Sequence, residues 1–227
     1  MPRRLILQLD FDGTLTESDV NEALFLRFLG PEWSARIETA SQAFRADPSS
    51  PALIETLQEA TAQLRESDDA CLEYVAATIR ARPGLPELIE TAARLGMECQ
   101  VVSYGFDFYV RHYLSQAGVE DRVAVHCGET GMTASGRSLT YRGPDGTPVV
   151  RDFKMLWTRS FRERAEALVY AGDGGSDVAP AQLSDVVFAR ESLLTGMPAS
   201  FPGVVMPFET LHDVARGLEE LFGHNQA

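Results

Sequence analysis

The sequence predicts an α/β protein with a doubly wound, mainly parallel sheet and a small helical cap domain inserted after the first strand. Short apolar runs alternate with helical segments over most of the 227 residues, and this alternation is typical of parallel strands joined by crossover helices. Between residues 19 and 82 the β-branched runs disappear and apolar residues recur at helical spacing. That change of pattern predicts the helical insertion.

The first strand is predicted at residues 5–9, where large aliphatic side chains dominate. Asp10 and Asp12 follow it directly, and Gly13 and Thr14 then offer a tight turn and a hydroxyl. In an open α/β sheet, ligands bind beyond the carboxyl ends of the strands. Two acids this close repel each other, and both stay ionised only if a cation lies between them. Calcium loops and plain Asp-containing turns share the pattern, so this stretch alone leaves those alternatives open.

The insertion is predicted to be a compact group of helices, with Ser50 placed as a helix cap and Pro51 as the first residue of that helix. A stretch containing Pro and Gly marks the return to the main domain. We therefore divide the chain into a catalytic core of residues 1–17 and 83–227 and a cap of residues 18–82. An insertion directly after the acidic loop can lie over that loop as a lid.

An alternation of helices and strands resumes after the insertion. Residues 127–149 interrupt it, and their content of Gly, Thr and Ser predicts a β-hairpin or flap. The other predicted elements are, in order, a helix at 86–95, a strand at 98–102, a helix at 106–117, a strand at 123–125, a helix at 152–165, a strand at 168–171, a short helix at 179–183, a strand at 186–188 and a helix at 209–222.

Composition limits the possible partners. The formal net charge of −13 disfavours nucleic acid and anionic membranes, because like charges repel. No apolar run approaches the length of a transmembrane helix. The three cysteines lack metal-ligand spacing and are interpreted as thiols of a reducing compartment. Arg3 and Arg4 are not followed by the apolar core of a signal peptide, so we expect a cytoplasmic protein, and its oligomeric state stays open.

A second candidate site residue is Ser103, which follows the strand predicted at residues 98–102. A hydroxyl between a strand and a helix is a natural phosphate ligand, because the helix N-terminus offers free N–H groups and a partial positive charge. Simple capping of the helix by the serine is the alternative. The aromatic residues that follow, Phe106, Phe108 and Tyr109, are interpreted as helix-packing residues.

The third candidate is Lys154, the single lysine among 20 basic residues. A surface charge could be either lysine or arginine, and this sequence otherwise uses arginine. The exception indicates a site that needs a compact ammonium group instead of a planar guanidinium group.

The fourth candidate is a pair of acids, Asp173 and Asp177, in a glycine-rich stretch that follows the strand predicted at residues 168–171. Glycines allow the backbone to approach a ligand closely. Carboxylate oxygens from several strand ends are ligands that Mg²⁺ accepts, together with water and substrate phosphate. A glycine-rich turn capped by Asp177 is the alternative.

These four stretches, in this order, resemble the four motifs of the haloacid dehalogenase-like (HAD) phosphatases. The resemblance implies that Asp10 is the nucleophile and that Asp12 is the general acid/base. It also implies an Mg²⁺ ion held by Asp10, Asp12 through its main-chain carbonyl, and Asp173, with Asp177 beside the metal.

The same resemblance implies a set of phosphate ligands. Ser103, the backbone N–H groups that follow it at Tyr104 and Gly105, and the Lys154 ammonium group would bind the phosphoryl oxygens. Lys154 would also steady the nucleophile.

The implied activity is hydrolysis of a small phosphorylated metabolite through an aspartyl-phosphate intermediate. The helical cap and residues 103–109 resemble the phosphoserine-phosphatase-like subgroup and, within it, the methionine-salvage type. Asp12 and Asp173 count against a haloacid dehalogenase, which needs neither the second acid nor a metal. Residues 18–82 lack the cap lysine of a phosphonate-cleaving relative. A phosphotransferase of the same fold and a catalytically silent binding module remain alternatives.

Overall fold

The computed structural model describes residues 4–133 and 136–223, so Arg3 of the Arg3–Arg4 pair lies outside the described residues. The described residues form one eight-stranded sheet with helices around it. The strands are β1 (Leu5–Leu9), β2 (Met97–Phe106), β3 (Ala124–Thr133), β4 (Gly136–Arg142), β5 (Pro148–Val149), β6 (Ala167–Gly172), β7 (Val186–Ala189) and β8 (Val204–Pro207). The α-helices are α1 (Val20–Phe28), α2 (Pro31–Ala46), α3 (Ala52–Gln63), α4 (Asp68–Thr78), α5 (Leu85–Arg94), α6 (Asp107–Gln116), α7 (Phe153–Arg162), α8 (Val178–Ala181), α9 (Glu191–Gly196) and α10 (Leu211–Phe222).

The strand order is β5-β4-β3-β2-β1-β6-β7-β8, and every pair from β3 to β8 in that order is parallel. The antiparallel pairs join β3 to β4 and β4 to β5, within the predicted hairpin or flap. Residues 134 and 135 of that segment lie outside the described residues. The predicted fold class, a mainly parallel doubly wound α/β sheet, is confirmed.

Strand β1 lies at the centre of the sheet because its side chains are apolar enough to be covered on both faces. Ile6, Leu7 and Leu9 are completely buried. Leu9 stands beside Val101 of β2 and Ala171 of β6, so the residues that follow these positions share one edge of the sheet. A backbone hydrogen bond of 2.9 Å from the Asp10 N–H to the Ala171 carbonyl extends this pairing one residue further.

Helices α1 to α4 form the insertion, and its two connections to the sheet run side by side. Thr16 and Ala81 form an isolated antiparallel bridge. Glu17 N–H donates to the Arg80 carbonyl at 2.9 Å, and Arg82 N–H donates to the Leu15 carbonyl at 2.8 Å. The division between cap and core at residues 17/18 and 82/83 stays a prediction that falls next to this bridge.

Two predicted boundaries were wrong, and two elements were not predicted. Strand β2 continues to Phe106 instead of ending at residue 102, because its backbone runs on through a register shift between Val102 and Phe106 while its side chains stay buried. The helix predicted to start at Pro51 starts one residue later, although the Ser50 hydroxyl accepts the Ala52 N–H at 3.3 Å as expected of a cap. Helix α9 and strand β8 were not predicted.

The described residues contain no helix that is both long and apolar enough to span a membrane.

Candidate active site

Three carboxylates and one ammonium group form a cluster at the edge of the sheet beyond β1 and β6, in which Asp173 is partly buried and the others are buried. Asp10, Asp173 and Asp177 each offer an oxygen, and these oxygens lie within 4.8 Å of one another. Lys154 is 2% exposed, and its ammonium group donates to Asp10 Oδ1 and to Asp177 Oδ1, both at 2.6 Å. The structure therefore brings together the first, third and fourth sequence-predicted stretches.

The charges of this cluster are unbalanced. Burial, and then the charge of Asp177, hold the pKa of Asp10 well above its usual value, and Lys154 compensates only in part. The same two causes raise the pKa of Asp173 to about 7, against a hydrogen bond from the Thr14 hydroxyl at 2.9 Å. Burial works against the charge of Lys154, yet the carboxylates of Asp10 and Asp177 outweigh it and raise the pKa of Lys154. A further cation would favour the ionised forms of Asp10 and Asp173.

Asp177 differs from the other two acids because it is completely buried and both of its oxygens accept hydrogen bonds. Oδ1 accepts from Lys154 and from the Tyr170 hydroxyl at 2.7 Å, and Oδ2 accepts from the Gly174 N–H at 3.0 Å. Asp177 thus fixes Lys154 in front of Asp10. Its predicted place in the metal site stays a prediction.

The carboxyl group of Asp12 accepts hydrogen bonds from groups outside the cluster of the other three acids and Lys154. Its Oδ1 accepts the backbone N–H of Val20, the first residue of α1, at 2.9 Å. Its Oδ2 accepts the Tyr109 hydroxyl at 3.1 Å. Burial, followed by the charge of Asp19, raises the pKa of Asp12 to about 8. A carboxyl group that keeps its proton near neutral pH suits a general acid.

Tyr109 is a site residue that the sequence analysis missed, because it was interpreted as helix packing. Its ring does pack, and its hydroxyl also contacts Asp12. The signal that could have found it is the hydroxyl itself, since a completely buried tyrosine needs a partner for that group.

Ser103, Tyr104 and Gly105 lie within β2 instead of at a helix start. Helix α6 begins at Asp107, one residue after the predicted start, and no side chain caps it, so the capping alternative for Ser103 was wrong. The Ser103 hydroxyl accepts the Gly105 N–H at 2.8 Å and lies 3.4 Å from Asp12 Oδ2. The roles of these three residues as phosphate ligands stay predictions.

Glycine is required at the turn that follows the first two acids. Gly13 has φ +75°, and a Cβ added there would lie 2.2 Å from Asp173 Oδ2. The absence of a side chain at Gly13 is what lets the Asp173 carboxylate approach the loop that carries Asp10 and Asp12.

We expect Gly13→Ala to lower kcat by at least about 10²-fold, because the new methyl group would displace the Asp173 carboxylate by about 1 Å or more. Gly118→Ala is the matched control, since Gly118 has φ +68° and open space around its Cβ position. Both variants carry the same backbone strain. Equal effects of the two substitutions on kcat would show that strain, and not contact with Asp173, matters at Gly13.

Arg82 is a second residue that the sequence analysis missed. Its side chain hydrogen-bonds to the backbone of the loop that follows Asp10 and Asp12. Its buried guanidinium group donates to the carbonyls of Thr14, Gly13 and Thr16 at 2.8, 2.7 and 3.1 Å, and to that of Glu209 at 3.0 Å. One arginine among many carries no signal in the sequence, and only the chain path brings its side chain to these carbonyls.

A cavity of about 440 Å³ lies in front of the acid cluster and is walled by both the sheet edge and the inserted helices. Acidic side chains outnumber the basic ones, Arg45 and Lys154, on its wall. An anionic substrate therefore meets a negative wall and requires a local cation. The inserted helices contribute Asn21, Glu22, Ile37, Glu38, Ser41, Phe44, Arg45, Leu53 and Leu57.

The β3–β4 hairpin packs against the inserted helices. Gln58 of α3 donates to the Leu139 carbonyl at 3.1 Å. The buried side chain of Arg137 forms an ion pair with Asp68 and donates to the Glu66 carbonyl at 2.5 Å. The hairpin thereby supports the cap helices that wall the cavity.

Residues 8–182 match the model of the haloacid dehalogenase-like hydrolase family, and the chain belongs to this family. Among its relatives are proteins named 2-hydroxy-3-keto-5-methylthiopentenyl-1-phosphate phosphatase. The relative from Brevibacillus brevis is 28% identical over 97% of this chain and 98% of its own length. The one from Exiguobacterium sp. is 28% identical over 91% of this chain and 93% of its own length.

Solved structures of phosphoserine phosphatases share the fold. A phospho-aspartyl intermediate analogue of phosphoserine phosphatase superimposes with a TM-score of 0.67 at 16% identity, covering 95% of this chain and 99% of that one. The enzyme from T. onnurineus gives a TM-score of 0.66 at 16% identity, with 96% and 95% covered. The family match and the names of the sequence relatives together support a phosphatase.

Proposed function

We propose that this protein is a Mg²⁺-dependent phosphomonoester hydrolase that works through an aspartyl-phosphate on Asp10. The observation that carries the proposal is the buried contact of Lys154 with Asp10 and Asp177, beside Asp173 at the wall of an acidic cavity. A carboxylate held by an ammonium group at the carboxyl edge of the sheet is a suitable nucleophile for phosphorus.

The donor set fits Mg²⁺, since hard carboxylate oxygens converge there and their charge exceeds that of Lys154. Asp10 and Asp173 would hold the ion through their carboxylates, and Asp12 would hold it through its main-chain carbonyl. The ion would offset the negative charge of the phosphoryl oxygens. Asp177 would keep Lys154 in place beside this group.

The first half of the reaction transfers the phosphoryl group to the protein. Asp10 attacks phosphorus in line, and the bond from phosphorus to the leaving oxygen breaks. Asp12 gives its proton to that oxygen. Lys154, the Ser103 hydroxyl and the backbone N–H groups at Tyr104 and Gly105 bind the phosphoryl oxygens.

The second half releases phosphate. Asp12, now a carboxylate, takes a proton from a water molecule as the water attacks the phosphorus of the aspartyl-phosphate. The acyl phosphate bond breaks, and Asp10 and the protonated Asp12 are restored. Proton transfer by a positioned side chain contributes roughly 10²–10⁴-fold to such a reaction.

The substrate is a small phosphorylated metabolite, and the names of the sequence relatives favour the methionine-salvage type over phosphoserine. The inserted helices line the cavity with apolar side chains, Ile37, Phe44, Leu53 and Leu57, and also with the charged side chains of Glu38 and Arg45. An apolar methylthio tail would gain from contact with the apolar side chains, and the carboxylate of phosphoserine would gain from Arg45. A panel of phosphorylated metabolites, assayed with Mg²⁺, tests this preference.

Two alternatives give different products in the same assay. A phosphotransferase of the same fold would pass the phosphoryl group to an added alcohol instead of water. A silent binding module would release no phosphate at all.

A cytoplasmic location is part of the proposal, and the free thiols of Cys71, Cys99 and Cys127 support it, since such thiols suit a reducing compartment.

Removal of divalent metal should abolish phosphate release from p-nitrophenyl phosphate, and added Mg²⁺ should restore it. The reason is that the acids around Asp10 need a cation before they can face a phosphate dianion. Full activity after exhaustive EDTA treatment would contradict the metal assignment.

Melting curves give a readout of the metal that does not depend on turnover. The folded-state pKa values of Asp173 and Asp12, about 7 and about 8, lie above those of unfolded aspartate. The metal-free native state therefore binds the extra protons, and its stability falls as the pH rises from about 4 to about 8. Mg²⁺ should raise the melting temperature more at about pH 8 than at about pH 5.

A further inference from the structure

We propose that Tyr109 is the positioning residue of the general acid, holding the Asp12 carboxyl group in the orientation that delivers its proton to the leaving oxygen. This inference rests on the proposed function, in which Asp12 is the proton donor. Tyr109 belongs to helix α6, which carries none of the four predicted motifs.

The first observation is that the Asp12 carboxyl group is held at both oxygens. The Tyr109 hydroxyl donates to Oδ2 at 3.1 Å, and the Val20 N–H donates to Oδ1 at 2.9 Å. Two donors on opposite oxygens prevent the carboxyl group from turning about its last torsion angle. The Ser103 hydroxyl also donates to Oδ2, in a longer hydrogen bond of 3.4 Å.

The second observation is that the tyrosine ring cannot move away. It is completely buried, and its centroid lies 5.7 Å from that of Phe11, 5.8 Å from Phe106 and 5.4 Å from Phe108. Rings packed at these distances fix the plane of the tyrosine and thereby the position of its hydroxyl.

The third observation is the absence of a side chain at Gly105, next to the hydroxyl. A Cβ added at Gly105 would lie 2.5 Å from the Tyr109 hydroxyl and 2.9 Å from Asp12 Oδ2. Only glycine at this position of β2 leaves room for the two groups to meet. The hydrogen bond from Tyr109 of helix α6 to Asp12 therefore depends on the glycine at position 105 of strand β2.

The reaction requires the Asp12 carboxyl group to be held in place while its proton is transferred. As the phosphorus–oxygen bond breaks, the proton leaves Asp12 for the leaving oxygen, and the electron pair of the broken O–H bond stays on the carboxylate. The Tyr109 hydroxyl and the Val20 N–H are both donors, so they stabilise the carboxylate that forms. They also hold it ready to take a proton from water in the next step.

The test is Tyr109→Phe in the full chain, with Mg²⁺ present, on two aryl esters that differ in their need for a general acid. Phenyl phosphate releases a poor leaving group, and p-nitrophenyl phosphate releases a good one that departs without protonation. We expect kcat/KM to fall about 10-fold for phenyl phosphate and less than about 2-fold for p-nitrophenyl phosphate. General acid catalysis is worth roughly 10²–10⁴-fold, so a misaligned acid forfeits part of it.

Tyr113→Phe is the matched control. Tyr113 lies one turn further along α6, also packs on Phe11 at 5.8 Å, and donates its hydroxyl to the carbonyls of Val75 and Ile79 at 3.2 and 2.8 Å. Its loss should affect both esters equally. A melting curve of each variant reports any loss of stability.

The outcomes separate this inference from the proposed function. Equal losses for both esters in Tyr109→Phe, or no loss with phenyl phosphate, overturn the positioning role while the phosphatase stands. Failure of the unmutated protein to hydrolyse either ester overturns the proposed function and, with it, the role of Tyr109.

Discussion

Asp10→Asn is expected to abolish turnover while the fold is retained. An amide oxygen is too weak a nucleophile to attack phosphorus, and loss of a covalent nucleophile costs on the order of 10⁴-fold or more in kcat. The melting temperature should stay the same or rise. Burial and the charge of Asp177 already disfavour the ionised form of Asp10, so a neutral side chain of the same shape relieves that repulsion.

The measurement is phosphate release under saturating Mg²⁺, together with a melting curve. Asp121→Asn, at an exposed position between α6 and β3, is the control for the chemical change alone and should leave both quantities unchanged. Near-normal turnover by Asp10→Asn would mean that the nucleophile lies elsewhere.

Lys154→Arg is expected to lower kcat/KM by about 10²-fold although the charge is conserved. Lys154 is 2% exposed, and its ammonium group lies 2.6 Å from both Asp10 and Asp177 and 5.5 Å from the centroid of the Tyr104 ring. A planar guanidinium group cannot occupy that volume and would displace the Asp10 carboxylate. Misplacement by about 1 Å costs on the order of 10²-fold in rate.

The larger side chain should also lower the melting temperature, since overpacking a buried site costs about 1–3 kcal/mol. The reverse exchange on the same helix, Arg159→Lys, is the control, because Arg159 is exposed. It should change neither kinetics nor stability. Unchanged kinetics in Lys154→Arg would mean that the ammonium group has no special role beside Asp10.

The acidic residues of the site could be predicted because the ends of buried strands can be recognised in the sequence. Asp10 follows an apolar run that could only be a covered strand, and Asp173 follows another. Parallel strands bring such ends to one edge of the sheet, and the structure has Asp10, Asp173 and Asp177 there. Lys154 could be predicted for a different reason, because it is the single lysine among the 20 lysine and arginine residues.

Residues that act through tertiary geometry were not predictable. Tyr109 resembles any aromatic residue on an amphipathic helix until its hydroxyl is seen against Asp12. Arg82 is one of many arginines, and its carbonyl partners come from the acidic loop and from Glu209. The extension of β2 through Ser103 was missed because serine and glycine are typical of strand ends, whereas here their burial continues the strand.

The central place of β1 in the sheet has a consequence for how this chain folds during synthesis. β1 pairs residue by residue with β2, which begins at Met97, and with β6, which ends at Gly172. A ribosome adds about 5–20 residues each second, so the apolar segment Leu5–Leu9 waits several seconds for its second partner. It is unpaired until β2 has been made, and one of its edges stays open until β6 has been made. Four of its five residues are apolar, and an exposed apolar strand with an open edge is prone to aggregate. The nucleophile at the end of that strand therefore acquires its environment only after three-quarters of the chain has been made.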